Sequence, residues 1–172
     1  MPVSVSNSTV VYEALRGAEV RLITALPENW LVYLLERAAR DPAVQYVQVA
    51  REEECIGIVA GAYLAGTRAV ALMQNHGFLQ AINALVSLAM LYRIPLPLLI
   101  SDRGYLGERD PWQTEGGKHT RRVLDALGIV YDELREPARV PGQVRRAVAL
   151  AEASLAPVAL LLTRELMWEE AP

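Results

Sequence analysis

Two rhythms of apolar and polar residues take turns along the chain. One repeats every three to four positions and predicts helices; the other is a short apolar or alternating run, bounded by Gly, Pro or polar residues, and predicts strands. Val10, Val11, Ala14 and Leu15 carry the helical spacing first, in a helix that Ser8 or Thr9 caps and that runs to about Arg16, where Gly17 ends it. A strand follows over 20–26. The tight passage Pro27-Glu28-Asn29 then leads into a helix over 30–40 with the stripe Leu31, Leu34, Leu35 and Ala38, stopped by Asp41-Pro42. Residues 44–50 alternate as a second strand.

From Ala50 to Asn75 three elements crowd together. Glu52, Glu53 and Glu54 mark a helix start, where the dipole and the unpaired amides favour negative charge. Gly57 and Gly61 are four residues apart on one face of that helix, with Ala62, Ala65 and Gly66 adding small surfaces, so another backbone can come close. An apolar run over 69–73 then ends in Gln74-Asn75, with Gly77 just beyond, as a parallel strand delivers polar groups to a binding edge.

A long helix is predicted over 78–92 from Ile82, Leu85, Leu88, Ala89 and Leu91, closed by Pro95, and a buried strand over 96–100. Residues 101–117 are the least regular, with Gly104, Gly107, Pro111, Gly116 and Gly117. A loop of that length in a compact domain is functional or mobile. The rest reads as a helix over 121–127 capped by Gly128, a short strand over 129–131, a helix over 140–155, a strand over 157–163 and a Glu-rich surface tail.

Strands alternating with helices imply an α/β fold: a doubly wound, mostly parallel sheet of about six strands with helices on both faces. Ligands of such sheets bind at the carboxyl ends of the strands. Pro27-Glu28-Asn29, Arg51-Glu52, Gln74-Asn75-His76 and Ser101-Asp102-Arg103 converge there and form the candidate site.

Composition sharpens this picture. A length of 172 residues suits one domain, residues 1–172. The 52% apolar and 22% charged content implies a sheet covered on both faces or a large surface given up to a partner. A net charge of -3 gives no footprint for nucleic acid, and Arg121-Arg122 and Arg145-Arg146 read as solvated helix faces. The lone Cys55 excludes an intrachain disulfide and a multi-cysteine metal site. The first residues lack the pattern of a signal peptide, and the longest apolar stretch, over 84–92, is too short to cross a bilayer. The expectation is a cytoplasmic protein that binds neither membrane nor nucleic acid.

Several chemistries lack their motifs. The chain has no Gly-x-Gly-x-x-Gly, no Walker loop and no Gly-x-Ser-x-Gly elbow. His76 and His119, the two histidines, have no zinc spacing, and no metal ligand set is expected.

The segment 51–66, Arg-Glu-Glu-Glu-Cys-Ile-Gly-Ile-Val-Ala-Gly-Ala-Tyr-Leu-Ala-Gly, carries a resemblance together with Leu72-Met73-Gln74-Asn75, Ile82-Asn83-Ala84-Leu85 and Ile94-Pro95. These residues resemble the alpha subunit of sulfopyruvate decarboxylase and the matching half of phosphonopyruvate decarboxylase. The likeness continues through Ser101-x-Arg103-Gly104, Leu106-Gly107-Glu108 and Leu124-Asp125-Ala126-Leu127-Gly128, from about Pro27 to Tyr131.

The resemblance implies the pyrimidine-binding domain of a thiamine diphosphate enzyme. On its residues alone Glu52 reads as a helix-start charge; the resemblance makes it the catalytic glutamate that bonds the N1' atom of the cofactor's aminopyrimidine. That role needs a carboxyl group sharing a proton with the ring. Pro27, Gln74 and Asn75 are implied to line the cofactor, and Asn29, His76 and Arg103 the substrate. The superfamily holds the diphosphate and its Mg2+ through a Gly-Asp-Gly motif on a second domain, and this chain has no Gly-Asp-Gly. The resemblance therefore implies half an enzyme within a hetero-oligomer, completed by a beta-type subunit and acting on a small 2-oxo acid.

Departures from the family pattern fall near the substrate. Relatives typically read Gln-Asn-Ser-Gly where this chain has Gln74-Asn75-His76-Gly77, and often Ser-His-Arg-Gly where it has Ser101-Asp102-Arg103-Gly104. His76 reads either as a structural residue at a helix start or as a proton donor or anion ligand. Arg103 reads as a surface ion pair or as the partner of an anionic substrate group. Asp102 would work against a second anionic group nearby. Sulfopyruvate conversion to sulfoacetaldehyde and CO2 is the leading expectation; the alternatives are a phosphonopyruvate or other 2-oxo acid decarboxylase or carboligase subunit, and a non-catalytic subunit of the same fold.

Overall fold

The computed structural model describes residues 3–169, and its first helix, α1 (Val5–Gly17), begins about a turn before the predicted cap. Ser4 is the cap, its hydroxyl accepting from the Asn7 amide at 3.2 Å. The hydroxyls of Ser8 and Thr9 instead donate back to the carbonyls of Ser4 and Val5 from inside the helix, at 2.7 and 2.9 Å. The chain continues through β1 (Leu22–Ala25), a 3-10 turn (Asn29–Leu31), α2 (Val32–Arg40), β2 (Gln45–Gln48), α3 (Glu52–Leu64) and β3 (Ala69–Gln74).

Two predictions change after β3. The long helix expected over 78–92 starts earlier and is broken: α4 (Asn75–Gln80), α5 (Ile82–Ala84) and a π-helical stretch, Leu85–Met90. Strand β3 runs straight into α4, so Asn75 and His76 form its first turn. The wider turns of the π stretch close through bonds from Leu91 to Val86 and from Ile94 to Ala89. After β4 (Leu96–Ser101) and a 3-10 turn (Pro111–Gln113), α6 (Thr114–Leu127) begins inside the expected loop and includes Gly116 and Gly117. Both glycines touch other backbone or ring atoms so closely that a Cβ would not fit, and this packing overrides their poor helix propensity. Then come β5 (Val130–Leu134), α7 (Val140–Ser154), β6 (Pro157–Leu162) and α8 (Arg164–Met167). Glu169 of the predicted surface tail is exposed; residues 170–172 lie outside the described residues.

All six strands pair in parallel in the order β2-β1-β3-β4-β6-β5. Strands β4 and β6 are buried along their whole length, which is why they read as unbroken apolar runs, and the edge strand β2 is part-exposed. One face packs Val11, Leu15, Leu34, Val144 and Val148 from α1, α2 and α7; the other packs Cys55, Ile56, Phe78, Leu85 and Leu124 from α3, α4, the π stretch and α6. This is the doubly wound sheet expected. Among the described residues no helix is long and apolar enough to cross a membrane.

Candidate active site

Strands β1 and β3 are neighbours, yet the connection after β1 enters α2 on one face and that after β3 enters α4 on the other. Such a divergence opens a crevice at the carboxyl edge, where ligands of doubly wound sheets bind. Pro27, Asn29, Gln74, Asn75 and His76 lie on these two connections, Glu52 opens α3 after β2, and Arg103 follows β4. The sequence-predicted residues therefore share one edge.

The three glutamates at the start of α3 differ in occupation. Glu54 folds back to accept from the amides of Ala50 and Arg51 at 2.9 and 3.2 Å, and Glu53 pairs with Arg51 at 3.0 Å. Glu52 is 9% exposed and has no hydrogen bond or ion pair among the described residues. Its carboxyl lies against Gly77 of α4, where an added Cβ would sit 2.4 Å from Oε1. Gly77 is thus part of the site, and only its proximity to Gln74-Asn75 signalled this in the sequence.

Asn75 is fully buried and works as a brace. Its Nδ2 donates to the Arg103 carbonyl at 2.6 Å, and its Oδ1 accepts from the His76 amide at 3.1 Å. His76 is half-buried, its ring laid on Gly116, where a Cβ would approach Cε1 to 2.4 Å. Gln74 is half-buried and makes no side-chain hydrogen bond among the described residues. Pro27 and Asn29 are exposed at the mouth of a groove of about 380 Å³ that runs between α2 and β2 past Leu35 and Tyr46.

Arg103 is buried and its charge is spent within the chain. Nε donates to Glu108 and Nη2 to Asp110, both at 3.0 Å, and the guanidinium stacks 5.2 Å from the Trp30 ring centroid. Burial alone would push the Glu108 carboxyl up, but hydrogen bonds from Arg103 and the amides of Gly104, Asp110 and Arg109 outweigh it and hold the group at about 2. Asp102, the residue expected to repel a second anion, is neutralised by a two-pronged pair with Arg121 at 2.7 and 3.1 Å. Arg121 also lies over the Tyr105 ring at 4.0 Å.

Glu28, in the connection after β1, was legible only as part of a converging segment. Its Oε1 accepts from the Ser101 hydroxyl at 2.6 Å and its Oε2 from the Trp30 amide at 3.1 Å. Burial pushes its carboxyl up, against those hydrogen bonds and the Arg103 charge.

Size alone does not mark the site. A hollow of about 490 Å³ lies at the opposite edge around Arg68, whose guanidinium is committed to Glu152 and Glu19.

A family model described as thiamine pyrophosphate enzyme, N-terminal TPP binding domain, matches residues 6–126. The chain is 36% identical over 94% of its length, and 96% of the other's, to a Methanococcus maripaludis protein named Sulfopyruvate decarboxylase subunit alpha. It is 32% identical over 83% of its length to a Streptomyces viridochromogenes protein named Phosphonopyruvate decarboxylase, of which it spans 35%. Among solved structures, 2-oxoglutarate:ferredoxin oxidoreductase from Magnetococcus marinus superposes with a TM-score of 0.74 at 17% identity, over 94% of this chain and 29% of that one. The latter likeness is one of fold.

Proposed function

The chain belongs to the thiamine pyrophosphate enzyme family, as its N-terminal TPP binding domain, and from that membership we propose that it is the alpha-type subunit of a sulfopyruvate decarboxylase. The reading is carried by the end-to-end match to a protein named as such a subunit. A beta-type subunit would bring the diphosphate-binding domain and Mg2+. Among the described residues no three His, Cys, Asp or Glu side chains gather as a metal ion needs. One face of α3 is ready for that partner: nothing lies within 4 Å of a Cβ built on Gly57 or Gly61, and Leu64 beside them is 78% exposed.

The residues present suit an aminopyrimidine. Glu52 offers a carboxyl with no competing partner, and the bare Gly77 leaves it room. When bound, thiamine diphosphate supplies the nucleophilic carbon and the electron sink that let a 2-oxo acid lose its carboxylate as carbon dioxide. Glu52 holds a proton toward ring atom N1'. Pro27, Gln74 and the Asn75 brace shape the wall beside it. Asn29 and His76 face the substrate, and Arg103 meets an anionic group by exchanging Glu108 or Asp110 for it.

The sulfonate of sulfopyruvate meets less repulsion at this edge than a free Asp102 would give, because Asp102 is paired with Arg121, which also binds Glu133. Phosphonopyruvate is the second reading, favoured by the relative of that name. The test is to assemble the chain with its diphosphate-binding partner and assay both acids, with Glu52→Gln beside the wild type. Loss of turnover by about a hundredfold or more in the variant supports catalysis; full turnover in Glu52→Gln leaves a structural subunit.

A further inference from the structure

We propose that Arg164 is the residue that takes the second anionic group of the substrate, a sulfonate or phosphonate; the role rests on the decarboxylase reading above and names the specificity contact of that same site. Such a 2-oxo acid arrives with two anionic groups, and the one that stays on the product has to be met by a cation. An arginine suits it, because the guanidinium fork offers paired donors to the oxygens of a sulfonate or phosphonate. Three arginines at the carboxyl edge are already engaged. Arg103 is held by Glu108 and Asp110, Arg121 by Asp102 and Glu133, and Arg135 by Glu133 and Glu165. Binding an anion there means breaking an ion pair first, and at Arg103 that pair is buried.

Arg164 is different. It is half-buried, its Nε is shielded from solvent without a hydrogen-bond partner, and it forms no ion pair among the described residues. A shielded charged group left unsatisfied costs stability unless something else meets it. Its place is set by the sheet: Gln74, Ser101 and Leu162 are paired across β3, β4 and β6, and His76, Arg103 and Arg164 each follow one of them by two residues. The three therefore stand side by side along the edge, on strands about 5 Å apart. One turn of chain separates the two guanidiniums. Cδ and Nε of Arg164 lie 3.1 and 3.4 Å from where a Cβ on Gly107 would be, and the next residue, Glu108, binds Arg103. The Trp168 ring centroid is 4.6 Å from Cζ of Arg164, and Trp168 packs on Trp30, the ring on which Arg103 also stacks. That aromatic backing fixes the guanidinium without using its donors. Arg109 is also unpaired among the described residues, but it is exposed on the loop beyond, where water and salt screen it.

The experiment uses the assembled complex with Arg164→Gln and Arg164→Lys. Its probes are sulfopyruvate, pyruvate, which lacks the second anion, and sulfoacetate, a dianion with no 2-oxo group to react. Arg164→Gln is expected to raise KM for sulfopyruvate about ten- to a hundredfold with kcat little changed, the loss that follows removal of a hydrogen bond to a charged group. Pyruvate turnover stays at the wild-type level, so selectivity for the dianion falls by the same factor. Arg164→Lys, which keeps the charge but not the fork, recovers part of the loss. Calorimetric titration with sulfoacetate needs no turnover; its affinity should weaken in parallel while thiamine diphosphate binds as before. An unchanged KM for sulfopyruvate, or an equal loss on sulfopyruvate and pyruvate, overturns the role. A wild-type complex that turns over neither sulfopyruvate nor phosphonopyruvate overturns the decarboxylase reading instead, and sulfoacetate affinity equal in wild type and Arg164→Gln then overturns Arg164 as well.

Discussion

Glu52 rests on Gly77: a methyl group there would lie 2.4 Å from the glutamate Oε1, closer than any real contact. The two residues come from different helices, and the absence of a side chain on one fixes the position of the other. In an ordinary helix interior Gly→Ala stabilises by up to about 1 kcal/mol. Gly77→Ala instead meets the Cγ, Cδ and Oε1 atoms of Glu52, so it is expected to lower the melting temperature, by an amount corresponding to about 1–3 kcal/mol, and to push Glu52 out of place. Turnover of the assembled complex should fall as far as in Glu52→Gln. Full turnover in Gly77→Ala would show that the placement of Glu52 does not matter.

Arg103 and Glu108 give a second expectation, because their side chains are 7% and 6% exposed. Arg103→Ala leaves a buried carboxylate without its cation, a loss of about 3 kcal/mol. Thermal unfolding should detect that loss in the chain without substrate, whereas a pure substrate ligand would change KM and leave stability intact.

The same pair sets a pH window. The folded Glu108 carboxyl is held at about 2, below its ordinary 4.5, so its contribution is complete above pH 4.5 and is lost as pH falls toward 2. Amide hydrogen exchange at Gly104, Arg109 and Asp110 should stay slow at pH 5 and become fast in Glu108→Gln at that pH. Equal exchange in the two proteins would remove Glu108 as the loop's anchor.

The fold was legible because the central strands are covered on both faces and had to be apolar, and because the helices between them keep one stripe each. The convergence of the candidate residues was legible in outline: polar residues that follow strands meet at one edge. What stayed hidden depends on contacts distant in sequence. Nothing near Asp102 indicates that Arg121 will neutralise it, and nothing near Arg103 chooses between substrate and the carboxylates a few residues on. Gly116 and Gly117 read as loop because local propensity says so; they are helical because His76 and the Gly104 backbone need their bare surfaces. Glu28 could not be separated from its neighbours until the Ser101 hydroxyl was placed against it.

Cys55 should be inert in the folded chain. Burial pushes its thiol up to about 11, the Thr24 hydroxyl donating to Sγ at 3.5 Å only partly offsetting this. At pH 8 almost none of it is thiolate. A disulfide reagent such as dithionitrobenzoate should find no reactive thiol until denaturant is added. Rapid labelling of the native protein would mean that the face of the sheet under α3 opens readily.

The exposed face of α3 allows opposite outcomes for the free and assembled chain. Gly57 and Gly61 have open space where a Cβ would go, so alanine at either position meets no clash in this chain and gains helix propensity. Gly61→Ala should therefore raise the melting temperature of the free chain, by an amount corresponding to at most about 1 kcal/mol. If the partner subunit packs its backbone against this face, the same methyl group keeps the surfaces apart, and a larger side chain in Gly61→Leu does so more. Affinity for the diphosphate-binding subunit should then fall in the order wild type, Gly61→Ala, Gly61→Leu, although the free chain grows no weaker from the alanine change. Sedimentation of mixtures at fixed partner concentration measures this directly. Unchanged assembly in Gly61→Leu would move the interface off α3 and leave its glycines without a partner to explain them.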